Sequence, residues 1–599
     1  MKEPRVNLAD NRQFAKRKVD TKFVIKNLFK YLRPYIWLFI AVFIANLVGV
    51  VLSLIGPKIS GQAIDMIKVD GTTDYNAVIY CCILLAFVYL LSGVVSYLAT
   101  IGMSFIARRM VRNMRNDVFN KLISLPVSYF DSRQAGDIIS VLSYDIDTVG
   151  LSLADDLVLI LTSTVSIVGS LVMMLTIAPI LVLVFVFTIP LSILFTRLFT
   201  KKAQPLFRAR SAKLGQLNGF VEEMISGQKT TKAYGCEERI IADFEEKNKE
   251  AVEAYSRSEY LSTMSGPTVN FINNLSLTLV SIFGALMYMY SFGGMTVGNI
   301  SSFVLYSRKF SGPINEIANV IGEFQSAIAA AERVFRVLEE QPEKADDSRA
   351  LPLENVKGDI DIEHLSFGYI NDKKIINDFN LHAERGQVIA IVGKTGAGKT
   401  TIINLLMRFY DADSGSICID GHNIMDVTRQ SLRKAFTMVL QDTWLFAGTV
   451  YDNIAYGKEG ATMQQVIDVC KAAKIHSFIE KLPNGYNTYI GDNAINISKG
   501  QKQLLTIARA MLMDSPMLIL DEATSNVDTR TEQIIQQAMT DLMKGRTCFV
   551  IAHRLSTIKG ADKILVMDGG DIVEQGTHEQ LMANGGVYSK LYFSQFESY

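Results

Sequence analysis

An all-α membrane domain of six spanning helices, followed by a soluble α/β domain on a largely parallel sheet, is the fold class this sequence predicts. Three observations carry it. Apolar residues concentrate in the first 320 of 599 positions. Beyond about position 345, short β-type runs alternate with helical stretches, the pattern of a buried parallel sheet. One such run passes through a glycine-rich turn into a helix start, "VIAIVGKTGAGKTT".

Composition bounds the partners. A mean hydropathy of +0.21 with 20% charged residues is that of a chain partly in lipid. Sixty basic residues balance sixty acidic ones, which argues against a nucleic-acid binder and against an acidic disordered tail. At 66.6 kDa more than one core is expected. Six scattered cysteines without C-x-x-C spacing give neither a disulfide framework nor a metal site.

Residues 1–34 are polar and basic. The run "YIWLFIAVFIANLVGVVLSLI" from Tyr35 then matches the roughly 20 residues of a spanning helix. It is too long for a cleaved signal and is read as a retained span. Five more follow, near 76–107, 157–177, 179–199, 270–290 and 299–320, so residues 35–325 form the membrane domain. The third and fourth are separated only by "IAPI", and the fifth and sixth by "SFGGMTVGN", both tight external turns. Arg108, Arg109, Arg112, Arg115, Lys121 and Arg133 follow the second span. Lys201, Lys202, Arg208, Arg210, Lys213, Lys229 and Lys232 follow the fourth, whereas the outer loops hold only Lys58 and Lys68. Positive charge stays on the cytoplasmic side, so both termini are inside. The two inner connections, about 45 and 70 residues, are rich in helix formers and extend the spans well beyond the lipid.

"FQSAIAAAERVFRVLEEQPE" reads as a helix stopped near Pro342, making 326–344 a helical linker before a soluble domain at 345–599. There the glycine-rich turn fits G-x-x-x-x-G-K-S/T over Gly393, Lys394, Thr395, Gly396, Ala397, Gly398, Lys399 and Thr400, with Thr401 following. Glycines let backbone N–H groups close on phosphates, Lys399 supplies a cation, and the Thr400 hydroxyl suits Mg²⁺. Farther on, "MLILDEATSNVD" ends a strand in two carboxylates. Asp521 is placed to hold the magnesium shell and Glu522 to polarise the attacking water.

The order of "SFGY", "GKTGAGKTT", "VLQDTWLFAGTVYDNI", "NISKGQKQLLTIARAML", "LILDEATSNVD" and "VIAHRLST" resembles the nucleotide-binding domain of ABC transporters. With six spans ahead of it, the chain looks like an exporter half-transporter, an ATPase that hydrolyses ATP with Mg²⁺ to drive transport across the cell membrane. The resemblance gives Tyr369 the adenine-stacking role and makes Gln441 the residue that senses Mg²⁺ and water. It sets Asp528 in the loop that crosses to the opposite site and His553 against the γ-phosphate. Ser498, Lys499, Gly500 and Gln501 stand in the signature that grips a partner's nucleotide. Two such chains are implied, with coupling helices in "SYFDSRQAGDIISVLSYDIDTV" and "GFVEEMISGQKTTKAYGCEER".

Departures from the family pattern are local. Lys499 replaces a signature glycine, Asp492 and Ala494 alter the stretch before it, and Ser525, Asn526 and Val527 precede Asp528. Neutral drift, lost hydrolysis and asymmetry compete as explanations. Intact Lys399, Gln441, Glu522 and His553 speak against lost hydrolysis. An intact catalytic set with an altered signature favours the competent subunit of a heterodimer, a homodimer being the alternative. Multidrug or lipid export of small amphipathic compounds is the family default. A peptide cargo, or an ATP-gated channel or regulator with little transport of its own, stands as the alternative. Arg308 and Lys309 place charge inside the sixth span, and Arg308 is either cavity-lining or snorkelling to the surface.

Overall fold

The structure is a computed structural model that describes residues 20–67, 73–370, 373–441, 443–491, 497–521, 528–551 and 558–596. Lys68, Asp492, Ala494, Glu522, Ser525, Asn526, Val527 and His553 lie outside the described residues. The chain divides into two compact units. One comprises 18–123 and 136–339, the other 124–135 and 340–599.

The first unit is helical. Helix α1 (Thr21–Leu32) leads through Pro34 into α2 (Ile36–Asp65), and α3 (Tyr75–Ile123) returns. Helix α4 (Val127–Asp131) belongs to the second unit, after which α5 (Ala135–Ile177) resumes the first. Extended Ala178, followed by Pro179 at the first helical position, makes the sharp break before α6 (Pro179–Ser226). The short α7 (Gln228–Tyr234), α8 (Glu237–Met289) and α9 (Val297–Glu339) complete the set. Helices of 48, 49 and 53 residues are far longer than a bilayer requires, so the long connections continue as helix beyond the apolar runs.

Among the described residues five helices are long and apolar enough to cross a membrane: Thr21–Asp65, Tyr75–Ile123, Ala135–Ile177, Pro179–Ser226 and Glu237–Met289. Helix α9 forms over the sixth expected span but is not among them. Arg308 and Lys309 stand within it, and Arg308 is exposed. Lys309 donates from Nζ to Ser53 Oγ of α2 at 3.3 Å.

Side chains of α9 also bond the α2 backbone beside Pro57. Ser302 Oγ donates to Pro57 O at 2.8 Å and Tyr306 OH to Leu54 O at 2.6 Å. At their ends Gly61 and Gly298 approach so closely that a Cβ on Gly298 would lie 2.0 Å from Gly61 O. Asp65 then accepts from Gly298 N and Thr296 Oγ1, each at 2.7 Å, and so caps the start of α9.

The second unit carries a six-stranded sheet in the order β12-β11-β3-β10-β9-β6. Its strands are β3 (Val388–Gly393), β6 (Phe436–Val439), β9 (Met517–Asp521), β10 (Thr547–Ile551), β11 (Lys563–Asp568) and β12 (Asp571–Gly576). All pairings are parallel except that of β12 with β11. Their apolar runs are buried on both faces, as a parallel sheet requires. Beside it lies an antiparallel sheet ordered β2-β1-β4-β5, from β1 (Ile360–Phe367), β2 (Ile376–Ala383), β4 (Ser414–Ile419) and β5 (His422–Asn423), and β7 (Gly448–Thr449) pairs with β8 (Tyr489–Ile490) in a two-stranded one.

Segment 340–346, which follows α9, is held by arginines. Arg429, 7% exposed, donates to Lys344 O at 2.7 Å and to Asp346 Oδ1 at 2.9 Å, and Arg433 pairs with Glu343.

Candidate nucleotide site

Parallel pairing decides where the site lies. Ile551 is in register with Asp521 and with Ile391, and Met567 with Gly393. The phosphate loop after β3, the carboxylate ending β9 and the last residue of β10 therefore stand at one edge of the sheet. That carboxyl edge is where open α/β sheets hold ligands.

The loop needs its glycines. Gly396 and Gly398 have φ of +84° and +99°, and a Cβ on Gly398 would lie 2.8 Å from Ile376 Cδ1. A Cβ on Gly393 would lie 2.3 Å from Met567 O. The loop thus turns without side chains on its inner side and opens helix α10 (Lys399–Leu406), whose first amides carry the positive end of the dipole. Lys394, Thr395, Gly396 and Thr400 are exposed, whereas Ala397, Gly398 and Thr401 are buried.

Lys399 folds back across the loop. Its Nζ donates to Gly393 O at 2.7 Å and Lys394 O at 3.0 Å. Burial draws its pKa below the usual lysine range, opposed by the Asp521 carboxylate, so the two predicted residues sit within each other's field. A cradle of backbone amides with a cation and a facing carboxylate fits a magnesium nucleotide.

Tyr369 lies beside α10. Its hydroxyl donates to Thr401 Oγ1 at 3.3 Å and accepts from Asn404 Nδ2 at 3.2 Å. Its ring meets Phe367 and Tyr410 edge-on, each with centroids 5.0 Å apart. Gln441 is exposed just beyond β6.

The signature occupies another element. Ser498 caps helix α11 (Lys499–Met513). It accepts from Gln501 N at 3.3 Å while Gln501 Oε1 accepts from Ser498 N at 3.0 Å, a reciprocal capping box. Gly500 is buried, and Lys499 is the exposed first residue of the helix. Among the described residues no side-chain bond joins Ser498, Lys499 or Gln501 to the phosphate loop. Asp528 caps helix α12 (Thr529–Met543), accepting from Thr531 N at 2.9 Å, and that amide holds its carboxyl below the usual range.

Residues 124–135 make contacts within the second unit that no local pattern marks. Tyr410 OH donates to Asp131 Oδ2 at 2.7 Å, Arg133 pairs with Glu340 at 2.6 Å, and Glu343 N donates to Ser124 O at 2.8 Å. No spacing in the sequence marks Tyr410, because its partner lies about 280 positions away.

Two family models match. The ABC transporter transmembrane region covers residues 39–314 and the ABC transporter domain covers 376–525. The chain belongs to the ABC transporter family. It is 40% identical over 591 residues to the uncharacterized ABC transporter ATP-binding protein YfiC of Bacillus subtilis (strain 168), spanning 98% of this chain and 97% of that one. It is 44% identical over 486 residues to the fatty acid ABC transporter ATP-binding/permease protein of Mycobacterium bovis, spanning 81% and 76%. The solved structure of a bacterial Atm1-family ABC exporter with ATP bound matches with a TM-score of 0.73 at 29% identity, covering 94% of this chain and 98% of that one.

This ABC exporter half-transporter is therefore a multi-pass membrane protein with membrane and ATPase domains fused in one chain, and its ATPase is coupled to transport. The ATPase domain binds ATP. Its membrane unit also contains a cleft of about 820 Å³ between α6 and α8. Among its lining residues are Leu183, Val184, Phe187, Phe283 and Tyr290, and Thr188 adds a hydroxyl to a lining otherwise dominated by apolar side chains.

Proposed function

We propose that this chain is the catalytically competent half of a heterodimeric exporter that moves amphipathic compounds, lipids or drugs, from the cytoplasm or inner leaflet. The observation that carries the ATP-driven part is the glycine cradle with Lys399 and Asp521 at one sheet edge. In this reading Tyr369 stacks on adenine, and residues 393–401 hold the phosphates. Thr400, Gln441 and Asp521 would hold Mg²⁺, which supplies charge neutralisation on the phosphates. Glu522 is the general base and His553 contacts the γ-phosphate. Ser498, Lys499, Gly500, Gln501 and Asp528 serve the opposite site, at which a second half-transporter contributes its own phosphate loop.

Six spans with both termini in the cytoplasm follow from the basic inner connections. An apolar cleft supports an acyl or aromatic cargo over a polar one, and the name of the mycobacterial relative points the same way.

The test is to purify this chain alone and with candidate second half-transporters, and to measure Mg-ATPase for each. Activity requiring a different second chain is expected, and full activity of the chain alone refutes the heterodimer. Glu522→Gln should abolish hydrolysis in either assembly, and retained turnover refutes its role as base. Uptake into inside-out vesicles separates an exporter from a gated channel or regulator.

A further inference from the structure

A chain of contacts runs from the nucleotide side of the ATPase domain to residues 124–135, and Tyr410 stands at its middle. Tyr369 is pinned at its hydroxyl by Thr401 and Asn404, so its ring is fixed to the first two turns of α10 directly behind the phosphate loop. Tyr410 packs edge-on against that ring at 5.0 Å and against Phe367 at 5.6 Å. Phe367 in turn meets Tyr369 at 5.0 Å. The three rings close a triangle, so none turns without displacing another.

From this triangle the Tyr410 hydroxyl reaches out to Asp131, the last residue of α4, at 2.7 Å. Two further ties of this segment lead elsewhere. Arg133 stacks over Tyr129 at 3.9 Å and pairs with Glu340, and Ser124 O accepts from Glu343 N, both of them in the segment after α9. Of these ties only Tyr410 leads to a residue of the nucleotide site. Packing alone would be served by phenylalanine at 410, whereas the hydroxyl makes a hydrogen bond to an exposed carboxylate, the stronger charge-assisted kind.

We propose that Tyr410 is a positioning residue that links occupancy of the adenine side of the site to α4, and so to the chain that enters α5. This rests on the reading of Tyr369 as the adenine-stacking residue. A base stacked on Tyr369 fixes that ring, the triangle fixes Tyr410, and the hydroxyl holds Asp131 in place. Without the base, the triangle has one constraint fewer and the hold on α4 loosens.

Amide hydrogen exchange on the purified full-length transporter tests this, with and without Mg-ATP. In the unaltered protein Mg-ATP should slow exchange both in 393–401 and in 124–135. Tyr410→Phe keeps the ring and removes the bond. It should leave ATP protection of 393–401 unchanged and reduce that of 124–135 by about tenfold, the worth of one hydrogen bond to a charged acceptor. Asp131→Asn, which retains an acceptor oxygen, should keep most of the protection, and Asp131→Ala should behave as Tyr410→Phe does. Because Asp131 is exposed, that second variant also serves if Tyr410→Phe folds poorly.

Undiminished ATP protection of 124–135 in Tyr410→Phe overturns the inference while leaving the nucleotide site intact. Equal loss in both segments makes Tyr410 merely structural and overturns it too. Absence of ATP protection at 393–401 in the unaltered protein overturns the nucleotide reading itself, and the inference with it.

Discussion

Lys499→Gly separates the two assemblies this chain can form. The side chain is exposed at the first position of α11, where the helix dipole opposes a cation by about 0.3–1 kcal/mol. Glycine relieves that repulsion and gives back roughly 0.5–1 kcal/mol in backbone entropy. The capping box between Ser498 and Gln501 does not involve the lysine side chain and should persist. The terms nearly cancel, so stability should change by less than about 1 kcal/mol, a melting shift of at most about 4 °C for a domain of this size.

Activity is a different matter. An ammonium about 4 Å from a phosphate at an effective dielectric of 20 is worth about 4 kcal/mol. Were Lys499 to face the nucleotide at a working site, its removal should change turnover by far more than tenfold, since tenfold is about 1.4 kcal/mol. In the heterodimer the altered signature faces the silent site, and turnover should stay within about twofold of the parent, roughly 0.4 kcal/mol. Mg-ATPase kcat/KM, measured from initial rates across ATP concentrations beside a thermal melt of the same preparation, decides it. A change above tenfold with an unchanged melt refutes the asymmetric assembly.

Further outcomes follow from the described geometry. Burial pushes the Cys470 and Cys548 thiols up to about 12, so both should resist maleimide at pH 7.5 until the protein is denatured, and labelling of the native chain at either position contradicts that burial. His578 accepts from or donates to Tyr588 OH at 2.6 Å, and burial, then Lys559, holds its pKa below the ordinary 6.5. The unfolded chain then binds more protons as pH falls below that value, so the stability held above pH 6.5 is lost toward its folded pKa. His578→Gln should flatten the melting temperature between pH 7 and pH 5, and an unaltered slope rejects the assignment. Arg429→Ala removes the nearer guanidinium from Asp346, about a quarter exposed, which keeps the backbone amide of residue 429 at 3.0 Å and Arg408 at 3.9 Å, and should cost about 2 kcal/mol, below the 3–5 of a fully buried pair. A thermal melt within about 1 °C of the parent, equivalent to less than about 0.5 kcal/mol, counts against that estimate.

Legibility in the sequence followed the range of the interactions. The helices and the strand–loop–helix around Lys399 are written in local periodicity and in glycines that only a tight turn needs, so reading along the chain recovers them. The limit of the sixth span has the same local origin. Arg308 and Lys309 lower the hydropathy of a window that α9 nevertheless folds as helix, because Asp65, Ser302 and Tyr306 tie it to α2 across some 230 to 250 positions. Tyr410 and Asp131, or Arg429 and Asp346, are likewise ordinary residues until the fold brings them together, and one chain without periodic spacing offers no signal for such pairs. Lys499 belongs to a third class. Among the described residues its surroundings are solvent and a capping box, so neither local pattern nor the described packing gives its side chain a task. A cation kept at a helix start where the dipole opposes it, with the phosphate loop of the same chain complete, is accounted for when the surface it serves lies on another subunit.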